Sequence, residues 1–317
     1  MRKSTRSTLL KVDHLACGVI GWLLERLSRR SHYRILLMLA KYYKMDAVVV
    51  RGTNGAIEGD PRDEGVFRRY ATEGEWSGRL LDMVKSRMKR SATGTYIDIG
   101  ANIGLTTIPL ARNSSWSFFA FEPDPANFLR LRLNLLRNSI ENVCARNVAM
   151  SNANGKLILR RSPTNFGDFR LDSNVQPIGM NWANDKYDEA KWDKIEVQTR
   201  TLDDSFKELA LAGPLIMKID TQGAEPLIVG GGRQTLSRAD LVIMEFWPYG
   251  IARQGVDPIA FIDVLAGLFG SVTAISAVEG DPLADNFEAI KRLVSGNIST
   301  EPTGYFDLIL TEPKRVE

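Results

Sequence analysis

Histidine is nearly absent from this sequence of 317 residues: His14 and His32 are the two, both near its beginning. A catalytic centre further along therefore manages its protons without imidazole, which removes His-based triads and zincin motifs. Cysteine is as scarce. Cys17 and Cys144 have no CxxC spacing, so neither a disulfide framework nor a cysteine-built metal site is expected. That usage suits a reducing, cytoplasmic compartment. Long hydrophobic runs are missing as well. LACGVIGWLL (15–24) stops at Glu25-Arg26, short of the roughly 20 apolar residues a spanning helix needs. It has a basic start and the length of a signal h-region, but no small-x-small cleavage site follows.

What is present begins with a charge asymmetry. The chain carries +3 overall, yet residues 1–44 hold ten Lys/Arg against Asp13 and Glu25, a balance of +8, which leaves −5 for the rest. A basic head on a mildly acidic body suits contact with a membrane or a partner, and does not suggest an enzyme built around nucleic acid. Residues 9–45 read as two amphipathic helices. Two readings stand for them: packing on the main domain or on a sister subunit of a homo-oligomer, or peripheral contact with a membrane through residues 1–44.

Residues 46–62 read as strand, turn, strand, with Asn54-Gly55 as the hairpin signal, and 63–90 as helix. We therefore expect a basic helical extension with a short hairpin over 1–75, followed by one larger domain over 76–317. From Thr95 onward strands and helices alternate. Strands are expected at TYIDIG, WSFFAFEP, VCARNVAMS, KLILRRS, KIEVQTRTL, PLIMKID, LVIMEFW, SVTAISAV and YFDLILTE, and helices at 125–139, 203–212, 224–236 and 257–269. The pattern indicates an α/β fold with a doubly wound, mostly parallel Rossmann-like sheet. The polar stretch 163–193 is long for a loop, which points either to a lid over a site or to a disordered segment.

In such a sheet, ligands sit at the carboxyl ends of the strands. YIDIGANIG (96–104) is placed for that, with the helix expected to begin near Ile103. A dinucleotide fingerprint from Gly100 needs glycine at 102 and 105, where the chain has Asn102 and Leu105. No GxxxxGK[ST] is present either. S-adenosyl-L-methionine, a nucleoside with a cationic sulfonium and no phosphates, fits better. Asp98 is expected to favour its cationic side, and Gly100 and Gly104 to let the turn pass close to it. Glu122, at the tip of the next strand beside Pro123, is placed to accept both ribose hydroxyls. In PLIMKIDTQGAE (214–225), Lys218 lies inside an apolar strand and needs a partner. Asp220 ends that strand, with Gln222 and Glu225 after it, and LVIMEF brings Glu245 to the same rim.

DIGANIG, AFEPDPANF, the Leu/Asn-rich helix, RTLDD, KIDTQGAE and MEFW, in that order from about Thr95 to Pro248, resemble the FkbM family of S-adenosylmethionine-dependent methyltransferases. The family often has KIDVEGAE. Here Thr221-Gln222 stand in place of Val-Glu, which leaves Asp220 and Glu225 but takes the carboxylate from position 222. The resemblance implies a class I methyltransferase fold and O-methylation of a sugar, glycan or polyketide-type natural product in a bacterial cytosol. Asn102, Pro123 and Asp220 join Asp98, Gly100, Gly104 and Glu122 as expected cofactor-binding residues. Without histidine, the proton acceptors to consider are Asp220 first, then Glu245 and Glu225. A magnesium ion (Mg2+) on Asp220, Glu245 and Gln222 is a variant that no spacing demands. Trp247, Tyr249, Trp182, Tyr187 and Trp192 are either an aromatic surface for a sugar ring or ordinary packing. Two other classes remain: a non-catalytic S-adenosylmethionine-binding protein that docks through its basic head, and a nicotinamide-dependent oxidoreductase.

Overall fold

Apolar strands alternating with helices build much of this chain into an eight-stranded sheet with helices on both faces. The computed structural model describes residues 28–173, 189–207, 211, 213–277, 280–298 and 304–315. The first of the two expected N-terminal helices, together with Trp182 and Tyr187, lies outside the described residues. The second is α1 (Arg29–Tyr43), followed by the antiparallel hairpin β1 (Val48–Gly52) and β2 (Gly55–Gly59) and by α2 (Val66–Glu73) and α3 (Gly78–Met88). The alternating part comprises β3 (Thr95–Ile99), α4 (Thr107–Ala111), β4 (Ser117–Phe121), α5 (Pro125–Arg137) and β5 (Val143–Arg146). Next come β6 (Ala149–Met150), β7 (Gly155–Arg161), β8 (Arg170–Leu171), β9 (Asp193–Arg200) and α6 (Leu202–Phe206). It continues with β10 (Leu215–Ile219), α7 (Glu225–Gly230), α8 (Arg233–Leu236), β11 (Leu241–Phe246), α9 (Pro248–Arg253) and α10 (Pro258–Leu268). The chain closes with β12 (Phe269–Ser276), β13 (Pro282–Ala284), α11 (Phe287–Leu293) and β14 (Phe306–Pro313).

The main sheet has the order β13-β12-β14-β11-β10-β3-β4-β5. Strands β5, β4, β3, β10 and β11 run parallel, and β14 is antiparallel to both β11 and β12. The chain leaves β3 in one direction, to β4 and β5, and returns on its other side to β10 and β11. The carboxyl edge between β3 and β10 is therefore the topological switch point. This is the class I methyltransferase arrangement expected from the sequence. A second sheet, β6-β9-β7-β8, stands beside it.

Several boundaries differ from the sequence reading. The expected 63–90 helix is broken at Gly74, whose left-handed backbone ends α2. VCARNVAMS divides into β5 and β6, which pair in different sheets. The helix expected over 224–236 is two short turns separated at Gly231-Gly232. The helix after β3 starts at Thr107 rather than near Ile103. The β1–β2 turn is Thr53-Asn54, one residue before the Asn-Gly signal, because Asn54 is buried and committed elsewhere. Its amide donates to the carbonyls of Trp76 and Leu105 and accepts from the Trp76 N–H.

The asparagines of α5 have a tertiary purpose. Asp124 caps the helix through the N–H groups of Ala126 and Asn127, ahead of Pro125 in its first turn. Asn134 and Asn138 then treat the open edge of β2 as a strand would. Each accepts from and donates to one of its backbone groups, at Glu58 and at Ala56. The hairpin is joined to the main body this way.

Alternation along the central strands puts an apolar core on each face of the sheet. Ile97, Ile99, Met217, Val242 and Met244 belong to one core; Tyr96, Ile216 and Ile243 belong to the other, with Tyr33, Ile57, Phe67 and Tyr70 from the N-terminal elements. The second face turns polar toward the carboxyl edge. Asp98 and Lys218 are direct register partners there, and so are Glu245 and Asp307.

Candidate active site

The polar end of that face opens into a cavity of about 540 Å³ at the carboxyl edge of β3, β4, β10 and β11. Its floor is set by how closely the β3 and β10 tips approach. Asp220 N–H donates to the Ile99 carbonyl at 3.0 Å. A Cβ on Gly100 would stand 1.9 Å from the Asp220 carbonyl oxygen, and the residue has φ +85°, so only glycine fits. Gly100 is thus required by the neighbouring strand turn itself. Gly104, at φ +93°, packs against Leu131 and Ile108 and does not line the cavity.

Asp98 also differs from its expected place. It is fully buried and accepts hydrogen bonds from the Thr106 and Thr107 hydroxyls at 2.7 and 2.6 Å. Its second oxygen lies 3.6 Å from Lys218 Nζ. It supports the floor and does not reach the cavity. Lys218 has the partner its burial demands: Asp220 Oδ2 at 3.0 Å. Burial alone lowers the lysine pKa, but the charges of Asp220 and then Asp98 outweigh it and raise the value overall.

On the β4 side, Glu122 faces the cavity with Pro123 beside it. Its two oxygens accept from the backbone N–H groups of Asn102 and Asp124, both at 2.9 Å. Burial pushes its pKa up to about 8 against the effect of those donors. Asn102 has φ +49° and donates through its side-chain amide to the Phe166 carbonyl, as does Asn127. Beyond Glu122, Val148, Ala149 and Met150 give an apolar wall.

On the β10–β11 side, Gln222 bridges two acids. Its amide donates to Glu245 Oε2 at 2.8 Å and to Asp220 Oδ1 at 3.2 Å. The walls around Glu245, followed by the charges of Asp220, Glu225 and Asp307, push its pKa well above the usual carboxylate range. Asp307 is likewise pushed up to about 7 by burial and by Asp220. Glu225 is fully buried and lies outside the cavity lining. It accepts from the N–H and hydroxyl of Thr221 and so holds the turn that presents Asp220, which removes it from the proton acceptors considered above. Burial pushes its pKa up to about 7.

The first part of the long 163–193 stretch forms a roof, with Phe166 and Arg170 over the cavity. Arg170 stacks on Trp247 at 4.5 Å and on Trp192 at 5.0 Å, and pairs with Asp168 and Glu189. Of the aromatic residues singled out above, Trp247 lines the cavity, while Tyr249 and Trp192 are buried packing residues. Arg69, Trp76 and Tyr305 complete the lining; sequence reasoning did not find them. It also missed Asp307, although a charge inside the apolar run YFDLIL is the signal that had marked Lys218.

This donor set fits S-adenosylmethionine. A buried carboxyl at the β4 tip next to an apolar wall suits a nucleoside, and the acid excess over Lys218 suits a cation and opposes a diphosphate. It fits magnesium poorly. Lys218 already places its ammonium on Asp220, and among the described residues no group of three or more His, Cys, Asp or Glu could hold a metal ion.

A curated relative, the 2-O-methyltransferase NoeI of Sinorhizobium fredii (strain NBRC 101917 / NGR234), is 28% identical over 195 residues, 60% of this chain and 78% of that protein. Among solved structures, a putative O-methyltransferase from Klebsiella pneumoniae overlays with TM-score 0.39 at 10% identity, covering 75% of this chain and 82% of its own. The Pyrococcus abyssi tRNA (uracil-54, C5)-methyltransferase, solved in complex with S-adenosyl-L-homocysteine, gives 0.40 at 10% identity, covering 84% and 44%. Residues 98–266 match the methyltransferase FkbM domain, which is more than half of the chain. The chain therefore belongs to the FkbM family of S-adenosylmethionine-dependent methyltransferases.

Proposed function

We propose that this enzyme methylates a hydroxyl group of a sugar or glycan, with Asp220 as the proton acceptor. The observation that carries the reading is the Asp220–Gln222–Glu245 bridge, which faces the cavity across from Glu122. The 2-O-methyltransferase name of the relative supports oxygen as the acceptor atom. Two acids and an amide at the same rim support a polyol, whose paired hydroxyls such groups can hold. A polyketide-type hydroxyl is the runner-up.

Bound S-adenosylmethionine would supply an electrophilic methyl group on a cationic sulfur. The chain's own residues supply orientation and a place for a proton. Glu122 would hold the ribose hydroxyls, with Asn102 and Gly100 shaping the turn beneath. The acceptor hydroxyl would be held between Asp220 and Glu245. Asp220 takes its proton, balanced by the Lys218 ammonium at 3.0 Å. Glu245, whose carboxyl burial and the neighbouring acids push upward, would hydrogen-bond the acceptor from the other side. Gln222 fixes the spacing of the two acids, and such fixed alignment can supply a large share of the rate.

The test is calorimetric titration with S-adenosylhomocysteine, with NADH as control, on the native protein and on Glu122→Ala. Tight binding of the first ligand alone, strongly weakened by the substitution, is expected. Transfer of a labelled methyl group to a panel of methyl glycosides and macrolides then identifies the acceptor class. Binding without turnover on any acceptor would instead favour a non-catalytic protein. No binding at millimolar concentration would sink the cofactor assignment.

A further inference from the structure

Helix α1 turns a cationic and apolar face outward. Tyr33, Leu37 and Ala40 pack toward the body, four and three residues apart. A neighbouring stripe runs Arg30, Arg34, Met38, Lys41 and Tyr42, all exposed at helical spacing, and Met45 is exposed just beyond the helix, after the left-handed Lys44. Met38 is 63% exposed, Tyr42 78% and the adjoining Tyr43 67%. No acidic residue occurs between Arg29 and Met45. Surface helices of soluble proteins ordinarily put mixed charge on this side, and large apolar side chains with this exposure usually mark an interaction surface. A second stripe adjoins it. Leu129, Leu133 and Leu136 of α5 are exposed with Arg132 among them, and Arg130 of the same helix donates to the Asp46 carbonyl just beyond α1 at 3.3 Å.

We propose that the outer face of α1 docks this enzyme on an anionic membrane surface. Cations flanking methionine and tyrosine suit the headgroup boundary, where apolar groups enter the acyl region and the charges stay with phosphates. Charge complementarity selects this occupant over a second copy of the chain. A two-fold contact through the face would set Arg34 and Lys41 against the same cations of the other copy, with no acidic residue on α1 to offset them. Exposed Met38 and Leu39 also gain nothing from a nucleic-acid backbone, whose contacts are with phosphates. Among the described residues no helix is long and apolar enough to cross a membrane, so the contact lies on the surface.

The full-length protein would be sedimented with vesicles of phosphatidylcholine alone and of equal parts phosphatidylcholine and phosphatidylglycerol. The variants are Arg34→Gln/Lys41→Gln and Met38→Ser/Tyr42→Ser, whose side chains are exposed and outside the cavity. Unchanged S-adenosylhomocysteine binding and thermal melting show that each variant is folded. Binding to the anionic vesicles alone is expected, weakened by salt and reduced about five-fold for each cation removed. The apolar variant should lose binding at least as strongly. Equal retention of either variant on the anionic vesicles overturns the proposal, as does failure of the native protein to bind them. So does association with an oligonucleotide, or dimerisation seen by light scattering, that the same substitutions abolish in place of vesicle binding.

Discussion

Glu245 and Asp307 are register partners across the antiparallel strands β11 and β14, which sets two carboxyl groups side by side next to Asp220. Among the described residues Lys218 is the cation that pairs within this group, and it already serves Asp98 and Asp220. The sheet thus concentrates acid where a neutral hydroxyl is proposed to lose its proton.

Stability should fall as pH rises. Burial raises the pKa of Asp307 to about 7, Glu225 to about 7 and Glu122 to about 8, and moves Glu245 well upward. Between about pH 4 and 8 the folded chain therefore holds protons that the unfolded chain has released, so alkalinisation favours unfolding. A melting temperature lower at pH 8 than at pH 5 by about 5 °C is expected. Asp307→Asn should flatten the slope; an unchanged slope would count against the raised value at that residue.

Lys218→Met should be strongly destabilising, by about 3 kcal/mol or more, because it leaves buried Asp98 and neighbouring Asp220 without their cation. Urea unfolding at pH 7.5 measures it. The double variant Lys218→Met/Asp98→Asn should recover part of the loss, which a simple packing defect at position 218 would not allow.

Asp220→Asn and Glu245→Gln should separate in kinetics. If Asp220 takes the proton, its amide variant loses roughly 100-fold or more in kcat while the Kd for S-adenosylhomocysteine changes little. Glu245→Gln retains a hydrogen-bond donor and should lose less, with a shifted alkaline limb in the pH profile. The reverse ranking would exchange the two roles.

Arg69, Trp76 and Tyr305 line the outer cavity from segments outside the matched residues 98–266. Arg69 stacks over the Trp76 ring at 5.4 Å. Trp76→Ala and Tyr305→Ala should raise the acceptor KM about tenfold and leave cofactor affinity near native. Loss of cofactor affinity instead would place these side chains against the donor.

Much of this was readable in the chain because the informative units are local. A strand, its tip and the turn after it are contiguous residues, so YIDIGANIG, FAFEP and KIDTQ each announced a ligand-facing edge. Lys218 announced a buried partner by its chemistry alone. Asp98 and Glu225 were misplaced because a few residues of sequence do not say whether a carboxylate turns toward the cavity or back to cap its own turn. Thr106, Thr107 and Thr221 made that choice.

The sequence by itself determined the alternating sheet, its carboxyl-edge acids and the glycine turn, since periodicity and strand-end chemistry are encoded within a dozen residues. Only the tertiary structure decided which walls close the cavity. Gly65, Val66, Arg69 and Trp76, residues 165–171 and Tyr305 reach it from distant parts of the chain. It also decided how strongly each acid holds its proton, because burial and neighbouring charge belong to the surrounding atoms and not to the residue that carries the group.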